Sequence, residues 1–242
     1  MATEYRGILF DAGDTLVKLS RPFPVLMKEV LAEHGLTADE DDLAAATWEV
    51  FGEAEAARAN VPDQDTHSSD EASKRHWTGI YLEVGRRARV PGMGEAHARA
   101  VHDVILNQQP FDLAPGAREL LEWARASGYR LGLVSNWGTD LRWLLERLEL
   151  TPFFQVTIVS AEVGLEKPNP RIFRKAVADL GLTPAEVLYV GDDYYNDGVG
   201  AWAAGLSPLL VDNHDRYGAG EFPRVRNLAG VRAYLENRPE IR

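Results

Sequence analysis

The sequence predicts an α/β protein: a parallel sheet with helices on both faces, interrupted by an inserted helical bundle. Three observations support this prediction. The apolar run Ile8–Phe10 ends in the carboxylate of Asp11, as a buried parallel strand does at its carboxyl edge. From about Phe23 to Gln108 the apolar residues recur at helical spacing, with no convincing strand. From Phe111 onward short apolar strands alternate with helices, which indicates a parallel sheet covered on both faces.

The insertion contains four predicted helices. Gly35 follows the first as a C-cap, and the acids after Asp39 suit the N-terminus of the second. The segment Ser68–Glu71 is a cap signal for the third. We therefore expect helices over 23–34, over 39–60, from 68–71 through Val84, and over 95–108.

The second half of the chain alternates in the manner of βα units. The expected helices cover 115–127, 139–148, 169–180, 197–204 and 231–237, and the expected strands cover 129–134, 154–159, 187–190 and 209–211. Ligands of such sheets bind at the carboxyl ends of the strands. Asp11, Ser135 and Asp192 each follow a predicted strand, so we expect them at one edge of the sheet.

Composition excludes several classes of protein. The 242 residues suffice for one large domain or for a core with an insertion, and 45% hydrophobic content is ordinary for a globular protein. A net charge of −11 argues against nucleic acid or an anionic membrane as partner. The absence of cysteine excludes disulfides and a cysteine-bound zinc site. With no signal peptide or membrane-spanning stretch, we expect a cytoplasmic protein; the oligomeric state stays open.

Four polar motifs occur in order along the chain. They are Asp11, the pair Ser135-Asn136, the pair Lys167-Pro168, and Gly191-Asp192 followed by Asp197. Alone, an Asp-x-Gly-Asp stretch is more often a turn, and a single lysine is more often a solvated surface residue. Together, and at strand ends, they resemble the motifs of the haloacid dehalogenase-like hydrolase superfamily. The resemblance covers about residues 5–16 and 110–215.

The resemblance implies a domain organisation. Members of this superfamily have a Rossmann-like core and a mobile cap, and an all-helical insertion directly after the first strand is similar to the helical cap of subfamily I. We expect the core to comprise residues 1–16 and 110–242, and the cap residues 17–109.

The resemblance also assigns roles. Asp11 is expected to attack phosphorus and to form a covalent aspartyl intermediate. Ser135 would donate a hydrogen bond to a phosphoryl oxygen beside the Asn136 backbone amide, with Thr15 as a further substrate-binding residue. Lys167 would neutralise charge on the nucleophile and on the transferring group.

A magnesium site is implied as well. Asp11, Asp192 and the backbone carbonyl of Gly13 would bind Mg²⁺, which needs few carboxylates because water and substrate oxygens complete its coordination. Asp197 would orient Lys167 or a metal-bound water from behind the ligands. Asp193 is either a further ligand or simply an acid in the loop.

Aromatic and basic residues give further candidates. Trp137, Tyr194 and Tyr195 flank the motifs and either wall the site or pack against the cap. Three arginines are candidate substrate contacts from the cap: Arg21, Arg86 and Arg87.

The sequence departs from the superfamily pattern at Gly13. Phosphatases of this superfamily usually carry a second Asp there, which protonates the leaving alkoxide and later activates water. Asp14 is one residue further on, and in an extended loop it would point the opposite way. Loss of a general acid/base typically lowers the rate by about 10²–10⁴-fold.

Several functions remain compatible with the motifs. The first is a Mg²⁺-dependent phosphatase acting on a small phosphorylated metabolite, with acyl or aryl phosphates favoured because they leave readily. A haloacid dehalogenase needs no metal, so Asp192 argues against it. A phosphonatase needs a lysine that forms a Schiff base, for which the candidates are Lys18, Lys28 and Lys74. A non-catalytic phosphate-binding or regulatory protein is the alternative outside enzymes.

Overall fold

The computed structural model describes residues 5–60, 66–108, 110–213, 215–217 and 220–237. Contacts divide the chain into two compact units. One comprises Met1–Lys18 and Leu113–Arg242, and the other comprises Leu19–Asp112. The α/β architecture predicted from the sequence is confirmed.

A six-stranded parallel sheet forms the centre of the first unit. In chain order the protein has eight strands within its described residues: β1 (Gly7–Phe10), β2 (Val17–Leu19), β3 (Phe111–Leu113), β4 (Arg130–Ser135), β5 (Val156–Val159), β6 (Val187–Gly191), β7 (Ser207–Val211) and β8 (Arg224–Val225). The order across the large sheet is β5-β4-β1-β6-β7-β8, and β2 pairs with β3 in a separate ribbon. The strand order therefore reverses at β1, where sheets of this type bind their ligands.

The second unit is a helical bundle. Its helices are α1 (Phe23–Glu33), α2 (Glu40–Asn60), α3 (Asp70–Arg87) and α4 (Glu95–Gln108). One apolar cluster draws on all four, with Met27, Leu43, Val84 and Val101 among its fully or almost fully buried members. The Ser69 hydroxyl accepts a hydrogen bond from the Ala72 amide and so caps the start of α3.

Helices cover the large sheet. They are α5 (Ala117–Ala126), α6 (Leu141–Arg147), α7 (Ser160–Val163), α8 (Pro170–Asp179), α9 (Gly200–Ala204) and α10 (Leu228–Glu236). Residues of α8 and α9 share a buried cluster with Leu9, Val134 and Tyr189 of the sheet. Because successive side chains alternate between faces, Ile8 and Phe10 lie on the opposite face, and they too are fully buried. Burial on both faces explains the continuous apolar runs in the sequence.

Some elements differ from the expectation. The strands β2, β3 and β8 have three, three and two residues, too few to produce a recognisable alternation. The helix expected over 197–204 begins earlier, with a π-helical turn over Tyr194–Val199 before α9. Strand β5 starts at Val156 and not at Phe154, because Thr151–Phe153 forms a 3-10 turn.

Across the described residues, none of the helices combines the length and the apolar character that crossing a membrane requires.

Candidate active site

Asp11 lies directly beyond the end of β1. Its backbone amide donates to the Val190 carbonyl at 2.9 Å, which continues the pairing with β6 by one residue. The amides of Leu16 and Val17 both donate to the Ala12 carbonyl at 2.9 Å and close the loop that follows. The Asp11 side chain is buried, with only 6% of the residue exposed. The loop thus holds a carboxylate at the point where the strand order reverses.

Lys167 bridges two carboxylates. Its Nζ donates to Asp11 Oδ1 and to Asp197 Oδ1, each at 2.6 Å, and the residue is 4% exposed. Burial alone would lower the pKa of Lys167, but the charges of Asp11 and Asp197 outweigh it and raise the pKa above its ordinary value. The ammonium therefore stays charged beside Asp11 over the whole physiological pH range.

Ser135 and Asn136 extend β4 into the same site. The Ser135 hydroxyl donates to Asp11 Oδ1 at 3.0 Å. The Asn136 side chain donates to the Lys167 carbonyl at 2.9 Å and accepts from the Lys167 amide at 2.7 Å. Asn136 thereby fixes the backbone from which Lys167 reaches Asp11.

Asp197 is fully buried and uses both carboxylate oxygens. Oδ1 binds Lys167, and Oδ2 accepts from the amides of Asp192 and Asp193, both at 3.0 Å. Burial raises the pKa of Asp197 to about 6; Lys167 opposes the shift and Asp11 adds to it. With these contacts, Asp197 positions the lysine and the loop after β6.

Asp193 caps the helical turn that follows it. Its Oδ1 accepts from the amides of Tyr195 and Asn196, at 2.9 and 2.8 Å, and its Oδ2 accepts from the Asn196 side chain at 3.1 Å. These bonds favour the interpretation of Asp193 as a loop acid over that of a metal ligand.

The carboxylates of Asp11, Asp192 and Asp197 form a cluster whose candidate ligand atoms all lie within 4.8 Å of one another. Burial, followed by the charges of Asp14, Asp197 and Asp11, raises the pKa of Asp192 well above its ordinary value. Mutually repelling acids at this distance fit a divalent cation. Asp197 is fully buried, and both of its oxygens are bound by Lys167 and backbone amides. The bonds to Asp11 from described residues are on Oδ1 alone, and Asp192 is partly exposed, so Asp11 and Asp192 are the better pair of ligands. Thr15 Oγ1 lies 3.4 Å from Asp192 Oδ1, so Thr15 contacts the candidate ligand pair.

Gly13 and Trp137 lie against each other in this site. A Cβ placed on Gly13 would meet Trp137 Cζ3 at 3.2 Å. Two hydrogen bonds fix Trp137. Its indole Nε1 donates to Asp140 Oδ2 at 3.1 Å, and its backbone amide donates to Ser160 Oγ at 3.0 Å. Trp137 therefore borders the place where the superfamily usually carries its second acid.

The backbone of this loop corrects one sequence-based argument. Asp14 has a φ of 51°, in the left-handed region, so the alternation of an extended loop does not apply to it. Asp14 is exposed, and its charge is the second cause of the raised pKa at Asp192. Gly13 itself has no left-handed φ, so an L-residue is not strained there.

Sequence reasoning missed Tyr189 and Arg216. The Tyr189 hydroxyl accepts from Lys167 Nζ at 3.1 Å and lies 3.0 Å from both Asp197 Oδ1 and the Val134 carbonyl. Arg216 Nη2 lies 3.0 Å from Asp192 Oδ2. The strand signal that identified Asp11 also precedes Asp212, where an apolar run ends in an acid near Arg216. A hydroxyl inside the apolar strand β6 was the signal for Tyr189.

Several of the arginine and lysine candidates form ion pairs with nearby acids. Arg87 binds Glu53 through two hydrogen bonds of 2.7 and 2.6 Å, and Arg21 binds Glu29 at 2.6 Å. Arg86 is exposed. Among the lysines, Lys28 pairs with Glu40 and Lys74 with Asp103, and Lys18 is exposed. Tyr194 packs against Tyr217 and Phe222 of its own unit, with ring centroids 5.6 and 5.1 Å apart.

Comparison with known proteins agrees with the geometry. The family model for haloacid dehalogenase-like hydrolases matches residues 5–205. The chain is 32% identical over 213 residues to haloacid dehalogenase-like hydrolase domain-containing protein 3 of Mus musculus, covering 86% of this chain and 82% of that protein. It is 40% identical over 206 residues to the glyceraldehyde 3-phosphate phosphatase of Pyrococcus abyssi, covering 84% and 79% of the two chains.

A solved structure supports the same architecture. The HAD-hydrolase YfnB from Bacillus subtilis, crystallised with bound magnesium, superposes with a TM-score of 0.75 at 20% identity. The match covers 96% of this chain and 99% of that chain.

Proposed function

Since the chain belongs to the haloacid dehalogenase-like hydrolase family, we propose that it is a Mg²⁺-dependent phosphatase acting on a small phosphorylated metabolite through Asp11. The relatives named as phosphatases support phosphoryl transfer as its chemistry. The observation that carries the proposal is the bridge of Lys167 Nζ between Asp11 and Asp197, with Asp192 beside them. A buried ammonium beside a carboxylate at a ligand-binding sheet edge is suited to a negatively charged substrate.

Asp11 is the proposed nucleophile. Both hydrogen bonds that its side chain accepts from described residues are on Oδ1, which leaves Oδ2 to attack phosphorus. Oδ2 forms the new O–P bond while the ester O–P bond breaks and its electron pair leaves with the alcohol oxygen. Water then attacks phosphorus, releases inorganic phosphate and regenerates the Asp11 carboxylate.

Lys167 and Ser135 prepare Asp11 for this reaction. The ammonium lowers the repulsion between the carboxylate and an approaching phosphoryl group, because it carries the opposite charge at hydrogen-bond distance. Asp197, Tyr189 and the Asn136 clamp hold the ammonium in place. Preorganisation of this kind avoids rearrangement when charge develops in the transition state.

Asp11 and Asp192, with the Gly13 carbonyl, are the proposed ligands of Mg²⁺. The bound ion would offset the charge of the phosphoryl oxygens and orient them toward the nucleophile. The elevated pKa of Asp192 supports this assignment, because a carboxylate that is costly to ionise alone gains most from a bound cation. We propose that residues 17–109 act as the cap and supply substrate specificity.

Glycine at position 13 narrows the range of substrate classes that we propose. No side chain at this position can protonate the leaving oxygen, and the neighbouring indole of Trp137 has no acidic group. Acyl and aryl phosphates need little protonation and are the favoured class.

A substrate panel tests the proposal. Purified protein is incubated with alkyl, aryl and acyl phosphates, a phosphonate and a 2-haloacid, each with Mg²⁺ and with EDTA. We expect phosphate release that depends on Mg²⁺ and is fastest on the aryl and acyl esters. Halide release in EDTA, or cleavage of the phosphonate alone, would replace the phosphatase with one of its alternatives.

A further inference from the structure

The guanidinium of Arg216 lies on the acid proposed as a metal ligand. Its Nη2 is 3.0 Å from Asp192 Oδ2 and 3.2 Å from the Asp192 carbonyl oxygen. The Asp192 side chain is 13% exposed and that of Arg216 is 28% exposed, so the pair is partly shielded from water. The charge of Arg216 lowers the pKa of Asp192, against the effects of burial and of three acids.

The loop after β7 is built to place this arginine. Asp212, itself 5% exposed, directly follows β7 and accepts hydrogen bonds from the amides of Arg216 and Tyr217 at 2.9 and 3.1 Å. The Arg216 guanidinium lies 5.1 Å from the centre of the Tyr217 ring. The Tyr217 hydroxyl accepts from the Tyr194 amide at 3.2 Å, which ties this loop to the segment after Asp192.

The charges around Asp192 determine how its contact with Arg216 affects the binding of a divalent cation. Around Asp192 the single charge of Lys167 is shared by two acids, Asp11 and Asp197, and Asp14 adds a third negative charge. Arg216 is bound to Asp192 itself. An arginine does not lose its charge at any pH at which a protein is folded. A divalent cation that binds Asp192 therefore approaches a carboxylate already paired with a positive charge, and two cations at a few ångströms repel each other.

We propose that Arg216 is a positioning residue that holds Asp192 in the metal-free protein and weakens the affinity of the site for Mg²⁺. The guanidinium compensates the acidic cluster when no metal is present, and it competes with the metal for Asp192. The two effects have opposite signs: removing the charge destabilises the metal-free protein and strengthens metal binding. If Arg216 had only a structural role, its removal would lower both the stability of the metal-free protein and its affinity for Mg²⁺.

Isothermal titration of MgCl₂ into EDTA-stripped, dialysed full-length protein tests the proposal without any substrate. Arg216→Met removes the charge and keeps an apolar side chain, and we expect it to bind Mg²⁺ about tenfold more tightly than the wild type, or about 1.4 kcal/mol. Arg216→Lys keeps the charge and should bind Mg²⁺ with nearly wild-type affinity. Arg142→Met is the matched control, because Arg142 is a partly exposed arginine that forms its ion pair with Glu162 and not with Asp192 or Asp212.

Thermal unfolding in EDTA supplies the second readout. Arg216→Met should unfold at a lower temperature than the wild type, whereas its Mg²⁺ affinity rises. Equal or weaker Mg²⁺ binding by Arg216→Met, or no binding by either protein, would overturn the proposal. If Arg216→Met does not fold, Arg216→Gln replaces it under the same criteria. Because no turnover is measured, the result is independent of whether the protein is a phosphatase.

Discussion

Lys167 Nζ and Asp197 Oδ1 are 2.6 Å apart, and the side chains that carry them are 3% and 1% exposed. The same Nζ binds Asp11 at the same distance, so one ammonium compensates two buried acids. Removing one partner of a buried pair leaves an uncompensated charge, which typically costs about 3–5 kcal/mol. The stability of the site and its chemistry thus depend on the same contact.

Lys167→Met should lower the free energy of unfolding by roughly 3–5 kcal/mol and abolish turnover. Adding Asp197→Asn should recover part of the stability but none of the activity, because it removes one of the two unpaired acids. Urea unfolding of both variants measures the free energy of coupling between Lys167 and Asp197. Lys175→Met is the control: its exposed pair with Asp179 should be worth less than about 1 kcal/mol. Additive effects of the two core substitutions would contradict the bridge.

Asp11→Asn should abolish turnover and leave the fold intact, because the side chain is nearly isosteric and Asp197 still compensates the Lys167 ammonium. Phosphate release and circular dichroism measure the two properties. The surface change Asp179→Asn makes the same chemical substitution away from the site and should have no effect on rate. Wild-type turnover in Asp11→Asn would exclude the aspartyl mechanism.

Asp192→Asn should stabilise the metal-free protein near pH 7. An unfolded carboxyl titrates near 3.8, whereas burial and the neighbouring acids keep the folded Asp192 protonated to a higher pH. As the pH rises between these two pKa values, the unfolded state binds fewer protons than the folded state. The free energy of unfolding therefore falls with rising pH.

Melting temperatures in EDTA at pH 4 and pH 7.5 check this prediction. The advantage of Asp192→Asn should be largest at pH 7.5 and shrink toward pH 4. In excess Mg²⁺ the order should reverse, because the variant binds the ion weakly and should also lose activity. A wild type that is the more stable protein in EDTA at pH 7.5 would show that Asp192 is not under electrostatic strain.

Gly13→Asp should raise activity on alkyl phosphates more than on aryl phosphates. The backbone accepts an L-residue there, but the new Cβ would lie 3.2 Å from Trp137, so the indole must shift. We therefore expect the gain to be larger in the double variant with Trp137→Leu, and to reach at most about 10²–10⁴-fold on the alkyl ester.

Gly13→Ala is the matched control for that experiment, since it adds the same Cβ without the acid. The kcat/KM values on one alkyl and one aryl ester are compared across the variants. Equal and high wild-type rates on both esters would show that another group supplies the proton, and Asp14 would be the first to replace.

The sequence by itself determined the architecture and the main motifs. A strand that is buried on both of its faces must be continuously apolar. A polar residue at the end of such a strand is therefore easy to recognise, as Asp11, Ser135 and Asp192 are. Helical periodicity over four long segments is equally clear, and the order of the motifs along the chain identified the family. Short elements such as β8 could not be predicted from the sequence, because two residues show no periodicity.

Only the tertiary structure decided which contacts, and therefore which roles, the individual polar groups have. Asp193 and Asp197 are both acids after β6, yet one caps a helical turn and the other holds Lys167. Arg216 reaches Asp192 from 24 residues away in sequence, and Trp137 reaches Gly13 from another strand end. Local sequence specifies hydrogen bonds along the backbone and the side of a strand that is buried. Which charges meet across the sheet edge depends on strand order and loop geometry, and these follow from packing the whole chain.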